Sequence, residues 1–308
     1  MTRICVSGEA LVDFVPDQNG MRQWTPGGSG LNTALALARL DVETFFAGTL
    51  SKDEYGTRLA DLMRAEKIDL SVSLFSDKPC PSVDVSKDAQ GSPHYDLHLD
   101  GSALEEAPHG WSVPPHIQHI HATSFAATLG PSGDATLATL REARSSKKIS
   151  TSFDPNIRAS VFPDRSLIPA LLAQRIQHAD IVKISREDLD VLAPGVLHDH
   201  ILGEWRAWGV KLLIITCGDQ GAFALSGAQQ IHVPSQVVNV CDTIGAGDTF
   251  MGALLAAMAQ EECLGRMADV YSADQLTRWL TFANQAAGFC CTRAGAQPPR
   301  HKDIEAQR

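Results

Sequence analysis

Paired cysteines are the first thing this sequence lacks. Its seven cysteines, at positions 5, 80, 217, 241, 263, 290 and 291, form no Cys-x-x-Cys pair. An odd, scattered set in apolar surroundings predicts reduced core thiols in a cytoplasmic protein and excludes a disulfide framework. Long apolar runs are missing too: none approaches the ~20 residues a membrane span needs, so no membrane contact is expected. The opening residues reach Glu9 and then Asp13 too early for a signal peptide. Positive charge is not in excess. Lys and Arg number 26 against 36 Asp and Glu, and the net charge of −10 argues against a nucleic-acid surface. A nucleotide is not excluded, because its phosphates are held by local N–H groups and a few cations. No linker rich in Pro, Gly or Ser, no repeat and no low-complexity block divides the chain, so residues 1–308 read as one large α/β domain.

What is present is organised around Asp242-Thr-Ile-Gly-Ala-Gly-Asp-Thr-Phe250. The stretch follows the apolar Val237-Val-Asn-Val-Cys241 and runs straight into Met251-Gly-Ala-Leu-Leu-Ala-Ala-Met258. Phe250, Leu254, Ala257 and Met258 share one helical face, which places the glycines where a buried helix begins. A helix start leaves N–H groups unpaired and carries partial positive charge, so it attracts anions. Gly245 and Gly247 let phosphate oxygens approach the main chain around Ala246 without a Cβ in the way. A carboxylate there would repel phosphate unless it had chemical work. The work expected of Asp248 is to take a proton from a hydroxyl that attacks a phosphoryl group. The plainer reading is a glycine turn with Asp248 favouring the helix dipole.

The whole nine-residue string resembles the second signature of the ribokinase-like (PfkB-type) carbohydrate kinases, and further matches follow along nearly the whole chain. Gly8-Glu-Ala-Leu-Val-Asp-Phe14 resembles the family's opening, which implies that Asp13 holds sugar hydroxyls. Pro26-Gly-Gly-Ser-Gly-Leu-Asn-Thr33 resembles the first signature, with Gly28 close to the sugar and Asn32 bonding a hydroxyl. Ser29-Gly30 is a departure, standing where fructokinases more often carry Ala-Pro. No Lys-Ser/Thr follows, so this loop is not a P-loop. Ser150-Thr-Ser-Phe-Asp-Pro-Asn-Ile-Arg158 resembles fructokinases and 2-keto-3-deoxygluconate kinases, and implies that Arg158 faces the substrate or the moving phosphate.

On the nucleotide side, Ala179-Asp-Ile-Val-Lys-Ile-Ser-Arg-Glu-Asp188 resembles the strand that ends near magnesium and the phosphates. The resemblance implies Ser185 by the phosphates and Glu187 toward Mg²⁺, the alignment leaving Glu187 and Asp188 open. Ser185 and Asp188 also fit capping-box spacing, with Asp in place of Glu or Gln. Thr216 and Gly218 would lie by the ATP phosphates and ribose, and Asn284 would border the adenine. Carbonyls at Asp242, Ile244 and near Gly295 would hold a monovalent cation, potassium, although Pro299 stands where ribokinases carry a serine.

Apolar strand runs alternate with helical stretches at 31–40, 53–66, 133–145, 165–176, 200–208, 246–261 and 273–289. The alternation implies a mainly parallel sheet with helices on both faces, and the resemblance implies that it is the ribokinase-like three-layer sandwich. Residues 77–107 are turn-rich hairpin material. By the resemblance, segments about 10–25 and 80–105 form a small β-sheet lid over the sugar, through which family members often dimerise. His119 and His121 share a strand face and read as hydrogen-bonded core residues rather than metal ligands. The chain after about 300 reads as a polar tail.

The expected activity is transfer of the γ-phosphate of ATP, with Mg²⁺, to a primary hydroxyl of a small sugar. Fructose comes first, because Asp-Pro-Asn-x-Arg is shared with fructokinases and residues 77–107 lack arginine. A 2-keto-3-deoxygluconate kinase and a ribokinase are the alternatives. A catalytically silent sugar-binding regulator is the alternative of another class.

Overall fold

The computed structural model describes residues 2–16, 21–87, 93–107, 113, 116–192 and 198–306. Among these, the large sheet takes its strands in the order Gln229–Val233, Ala222–Ser226, Leu212–Thr216, Ile181–Ser185, Ser150–Asp154, His119–Thr123, Arg3–Ser7 and Glu43–Ala47. From Leu212–Thr216 to Glu43–Ala47 every pairing is parallel. The strands Ala222–Ser226 and Gln229–Val233 add an antiparallel edge. Parallel strands are covered on both faces, and Ile4, Cys5, Val6, Ile120, Phe153, Ile181 and Val182 are all fully closed off, together with polar neighbours such as His119, His121, Thr151 and Ser152. One core cluster joins the sheet to helices Ser29–Arg39, Ala246–Gln260 and Ala273–Cys291, and a second joins it to Gly130–Ser146, Ile168–Ile176 and His198–Ala207. That is the three-layer arrangement which the alternation predicts.

A smaller sheet stands over one end of the large one, with strand order Arg22–Gly27, Leu11–Pro16, Ser82–Lys87 and Pro93–His98. Leu11–Pro16 runs antiparallel to Arg22–Gly27 and parallel to Ser82–Lys87. The segments 10–25 and 80–105 take in three of these strands and most of Arg22–Gly27, which runs two residues past 25; residues 17–20 and 88–92 lie outside the described residues. No helix among the described residues is long and apolar enough to cross a membrane.

Three expectations change. Residues beyond 300 are not a tail: His301–Glu305 is helical, and Ile304 is buried in the first core cluster. One apolar residue in a short polar segment leaves no periodicity to read, and its cap, Asp303 accepting the Arg300 N–H at 2.8 Å, is local. The segment Arg186–Leu192 is also helical, too short for the pattern to register. Among the cysteines only Cys5, Cys217 and Cys290 are buried; Cys80, Cys263 and Cys291 are half-buried and Cys241 is exposed, because the segment after Val233 runs over the surface. All seven are unbridged. The two histidines are core residues, His119 bonded to Ser150 and Ser152 at 2.7 Å each and His121 to Ser152 at 2.8 Å.

Candidate active site

Parallel strands point their C-termini to one edge, and that edge gathers Glu9, Thr123, Asp154 and Ser185 close to the start of helix Ala246–Gln260. The helix is buried nearly all round, with Phe250, Met251, Leu254, Leu255 and Met258 in the core. Its N-cap, Gly245, has φ +73°, and a Cβ there would lie 2.5 Å from that of Ala296. Among the described residues, the N–H groups of Gly245, Gly247 and Asp248 donate to no carbonyl. Ala246 differs from expectation: its N–H closes the turn on Thr243 O at 3.2 Å. Gly245, Gly247 and Asp248 therefore supply the unpaired donors of this helix start, in the arrangement that suits an anion.

Asp248 sits in the first turn of this helix and is buried. Ser29 Oγ donates to its Oδ1 at 2.6 Å, Asn156 Nδ2 to Oδ1 at 3.3 Å and Asn32 Nδ2 to Oδ2 at 2.8 Å. Asn32 thus reaches the carboxylate first, a contact its spacing from the glycines did not foretell. Gly28 is the N-cap of helix Ser29–Arg39 with φ +100°, and a Cβ there would meet Glu9 O at 2.6 Å. The turn is pressed onto the end of the first strand, where the buried Glu9 accepts the Ser29 N–H at 3.0 Å.

Across the cleft, Asp13 lies on the strand Leu11–Pro16 of the small sheet. Gly27 makes room for it, since a Cβ at Gly27 would lie 2.3 Å from Asp13 Oδ2. Burial pushes the Asp13 carboxyl up to about 6 against the pull of Arg158. Arg158 is exposed, and no ion pair to it forms among the described residues. Neither Asp154 nor Asp164 ties it up. Asp154 instead pairs with Lys183, whose Nζ lies 2.8 Å away, beneath Gly247.

Glu187 is exposed, whereas Asp188 turns inward. Burial raises the Asp188 carboxyl, with Lys183, Ser185, the backbone at Ile157 and Arg158 pulling the other way. Helix geometry decides between the neighbours: they point about 100° apart, and only Asp188 faces the sheet edge. Ser185 Oγ accepts the Asp188 N–H at 3.0 Å, so it acts as the cap of that helix.

At the end of the strand Leu212–Thr216, Thr216 is partly exposed, and Gly218 has φ +54° with open space around it. Asn284 is buried and spends its amide on Val233 O at 3.0 Å and Pro234 O at 3.2 Å, so it holds the segment after that strand. Asp242 ties two loops together, accepting the Ile244 N–H at 3.0 Å and the Gly295 N–H at 2.8 Å. Asp242, Ile244 and Gly295 are thus brought together.

Sequence reasoning missed Ser29, Thr123, Glu9 and Lys183 as parts of this site. Lys183 carried a signal, a lone charge inside the buried strand Ile181–Ser185. Glu9 carried another, an acid directly after the first buried strand.

Comparison with known proteins gives this geometry its place. The chain belongs to the pfkB family of carbohydrate kinases, whose family model matches residues 1–303. Within that family it is similar to fructokinases. One from Salmonella typhimurium is 30% identical over 317 aligned positions, covering 99% of each chain. Among solved structures, the fructokinase of Vibrio cholerae O395 in its fructose, ADP and calcium ion bound form superposes with a TM-score of 0.86 at 26% identity, covering 99% of this chain and 98% of that one. A double mutant of the same enzyme in its fructose, ADP and potassium ion bound form gives 0.83 at 25% identity, covering 99% and 98%.

Proposed function

We propose that this chain is an ATP-dependent kinase that phosphorylates a primary hydroxyl of fructose. One observation carries the reading: a buried carboxylate, Asp248, stands in the same helix turn as unpaired N–H groups and is held there by Ser29, Asn32 and Asn156. Bound at that turn, ATP supplies the phosphoryl group, and a divalent cation, Mg²⁺, neutralises charge on its oxygens. The helix start fits such an anion, because the glycines present no Cβ and the N–H groups are free. Asp248 takes the proton of the attacking hydroxyl. Asp13 and the Oδ1 of Asn32 accept the other sugar hydroxyls, with Gly28 close by. The N–H groups of Gly245, Gly247 and Asp248 stabilise the charge that develops on the moving group. Thr216, Gly218 and the segment held by Asn284 line the nucleotide, and Asp188, rather than Glu187, faces the cation. The small sheet closes over the sugar and keeps out water. A homodimer through its strands, working in a reducing cytoplasm, belongs to the same reading; the seven unbridged cysteines support the location.

Fructose is favoured over a sugar acid by the cations available. Residues 77–107 carry no arginine, and Arg22, at the start of the edge strand Arg22–Gly27 of the same sheet, is engaged by Asp84 through two 2.8 Å bonds. Arg158 is the guanidinium whose charge acts on Asp13. The test is ADP release from a panel of fructose, ribose and 2-keto-3-deoxygluconate, with the wild type and Asp248→Asn. Fructose should give the highest kcat/KM, and Asp248→Asn should lower kcat by at least ~10²-fold while sugar affinity is kept. Faster turnover of the sugar acid would make the chain a keto-acid kinase. No turnover of any would return it to the sugar-binding regulator.

A further inference from the structure

We propose that Ser29, with Thr123 behind it, is a positioning residue that orients Asp248 and leaves Oδ2 as the oxygen that receives the substrate proton. The proposal rests on Asp248 being the base. Ser29 marks the departure from the fructokinase pattern in the glycine turn, and its hydroxyl has a definite place. Its Oγ lies 2.6 Å from Asp248 Oδ1 and 2.7 Å from Thr123 Oγ1. All three residues are buried, so water does not compete for these atoms.

The direction of the chain follows from what each group can give. A carboxylate oxygen accepts, and a hydroxyl has one proton, so Ser29 donates to Asp248 and Thr123 donates to Ser29. Successive hydrogen bonds of this kind polarise one another. An oxygen of a carboxylate offers about two acceptor sites. Ser29 and Asn156 occupy both on Oδ1, at 2.6 and 3.3 Å. Asn32 occupies one on Oδ2 at 2.8 Å, and among the described residues the other is open. The hydroxyl proton therefore passes to Oδ2 as the hydroxyl oxygen bonds the γ-phosphorus. The bond from that phosphorus to the β,γ-bridging oxygen breaks, and ADP leaves with the electron pair.

The backbone locks Ser29 in this pose. Glu9 Oε1 holds its N–H at 3.0 Å, and Gly28 and Gly30 flank it. A Cβ at Gly30 would lie 2.7 Å from Gly8 C, so the turn has no slack to reposition the hydroxyl.

The experiment is steady-state kinetics with fructose on Ser29→Ala, Ser29→Thr, Thr123→Val, Asp248→Asn and Ser29→Ala/Asp248→Asn, each with its melting curve. A hydrogen bond to a charged group predicts that Ser29→Ala lowers kcat roughly ten- to a hundredfold, with KM for fructose unchanged. Ser29→Thr keeps the hydroxyl and should recover most of the loss, and Thr123→Val should lose less than Ser29→Ala. In the Asp248→Asn background, Ser29→Ala should cost nothing further, as residues acting through one another are not additive. If Ser29→Ala fails to fold, Thr123→Val carries the test alone, since it removes the outer hydroxyl and keeps its shape. Wild-type kcat in Ser29→Ala, or in a folded Thr123→Val standing alone, would overturn the proposal and leave the base assignment intact. A full further loss in the double variant would do the same. Unchanged kcat in Asp248→Asn would overturn both.

Discussion

Lys183 Nζ lies 2.8 Å from Asp154 Oδ2, and both side chains are closed to solvent between two strands of the large sheet. Burial pulls the ammonium down, but Asp154 beside it, with Asp248 and Asp188 farther off, holds it above its ordinary value. A buried pair is expensive to break because the remaining charge has no solvent. Lys183→Met should therefore destabilise the fold by about 3–5 kcal/mol. Adding Asp154→Asn should restore much of that, as no charge is left behind. Urea midpoints decide the matter: a double variant as unstable as the single one would mean that shape, not charge, holds this part of the core.

Arg158 is exposed, and its charge acts on both Asp13 and Asp188. Its planar guanidinium suits phosphate oxygens as well as a carboxylate. Serving the phosphoryl group, it should leave KM for fructose little changed, and Arg158→Ala should lower kcat for whichever sugar is used. A KM increase confined to sugar acids would place Arg158 on a substrate carboxylate and undo the preference for fructose.

The Asp13 carboxyl, pushed up to about 6 by burial against the pull of Arg158, gives a pH signature. An ionised Asp13 accepts sugar hydroxyls best, so kcat/KM for fructose should fall as the pH drops through about 6. Arg158→Ala removes the opposing pull and should move this acid limb to higher pH. The stability effect has the opposite sense. A carboxyl that holds its proton more tightly when folded stabilises below its unfolded value of about 3.9 and loses that contribution as the pH rises through the folded one. Asp13→Asn should flatten the fall in stability across that window. An unchanged profile would show that Asp13 is not the titrating group.

The fold was legible because apolar strand runs such as Ile4-Cys-Val6 and Leu212–Ile215 alternate with helical stretches, whereas the strand within 179–188 was read from its resemblance to the family. The start of a buried helix was legible from Gly245, Gly247 and the apolar face that follows. Pairwise contacts between distant segments were not. That Ser29 and Asn32 meet Asp248, more than two hundred residues away, depends on how two helices pack, which no local pattern encodes. Asn284 shows the same limit: its place in a helix was readable, but not that its amide is spent on Val233 and Pro234. Glu187 and Asp188 are separated only by helix phase, and a helix as short as Arg186–Leu192 has too few apolar residues to reveal it.

Potassium should raise the rate. Asp242 binds the N–H groups of Ile244 and Gly295, so one carboxylate sets two loops side by side directly ahead of the unpaired N–H groups. With their N–H groups pinned, the carbonyls of these loops need only a cation of suitable size, and oxygen ligands do not depend on the side chain. Such an ion would not touch the phosphates; it would fix the turn whose N–H groups do, which is preorganisation. The competing account is that Asp242 alone suffices, since it already holds the turn. Measuring kcat at fixed ionic strength with K⁺ exchanged for tetramethylammonium, which is too large for the gap between two loops, separates the two. A higher rate in K⁺, with KM for fructose unchanged, is the expected result. Asp242→Ala should abolish the difference between the salts by letting the loops part. Equal rates in the wild type would assign the turn to Asp242 and remove the cation from the mechanism, leaving the chemistry at Asp248 standing.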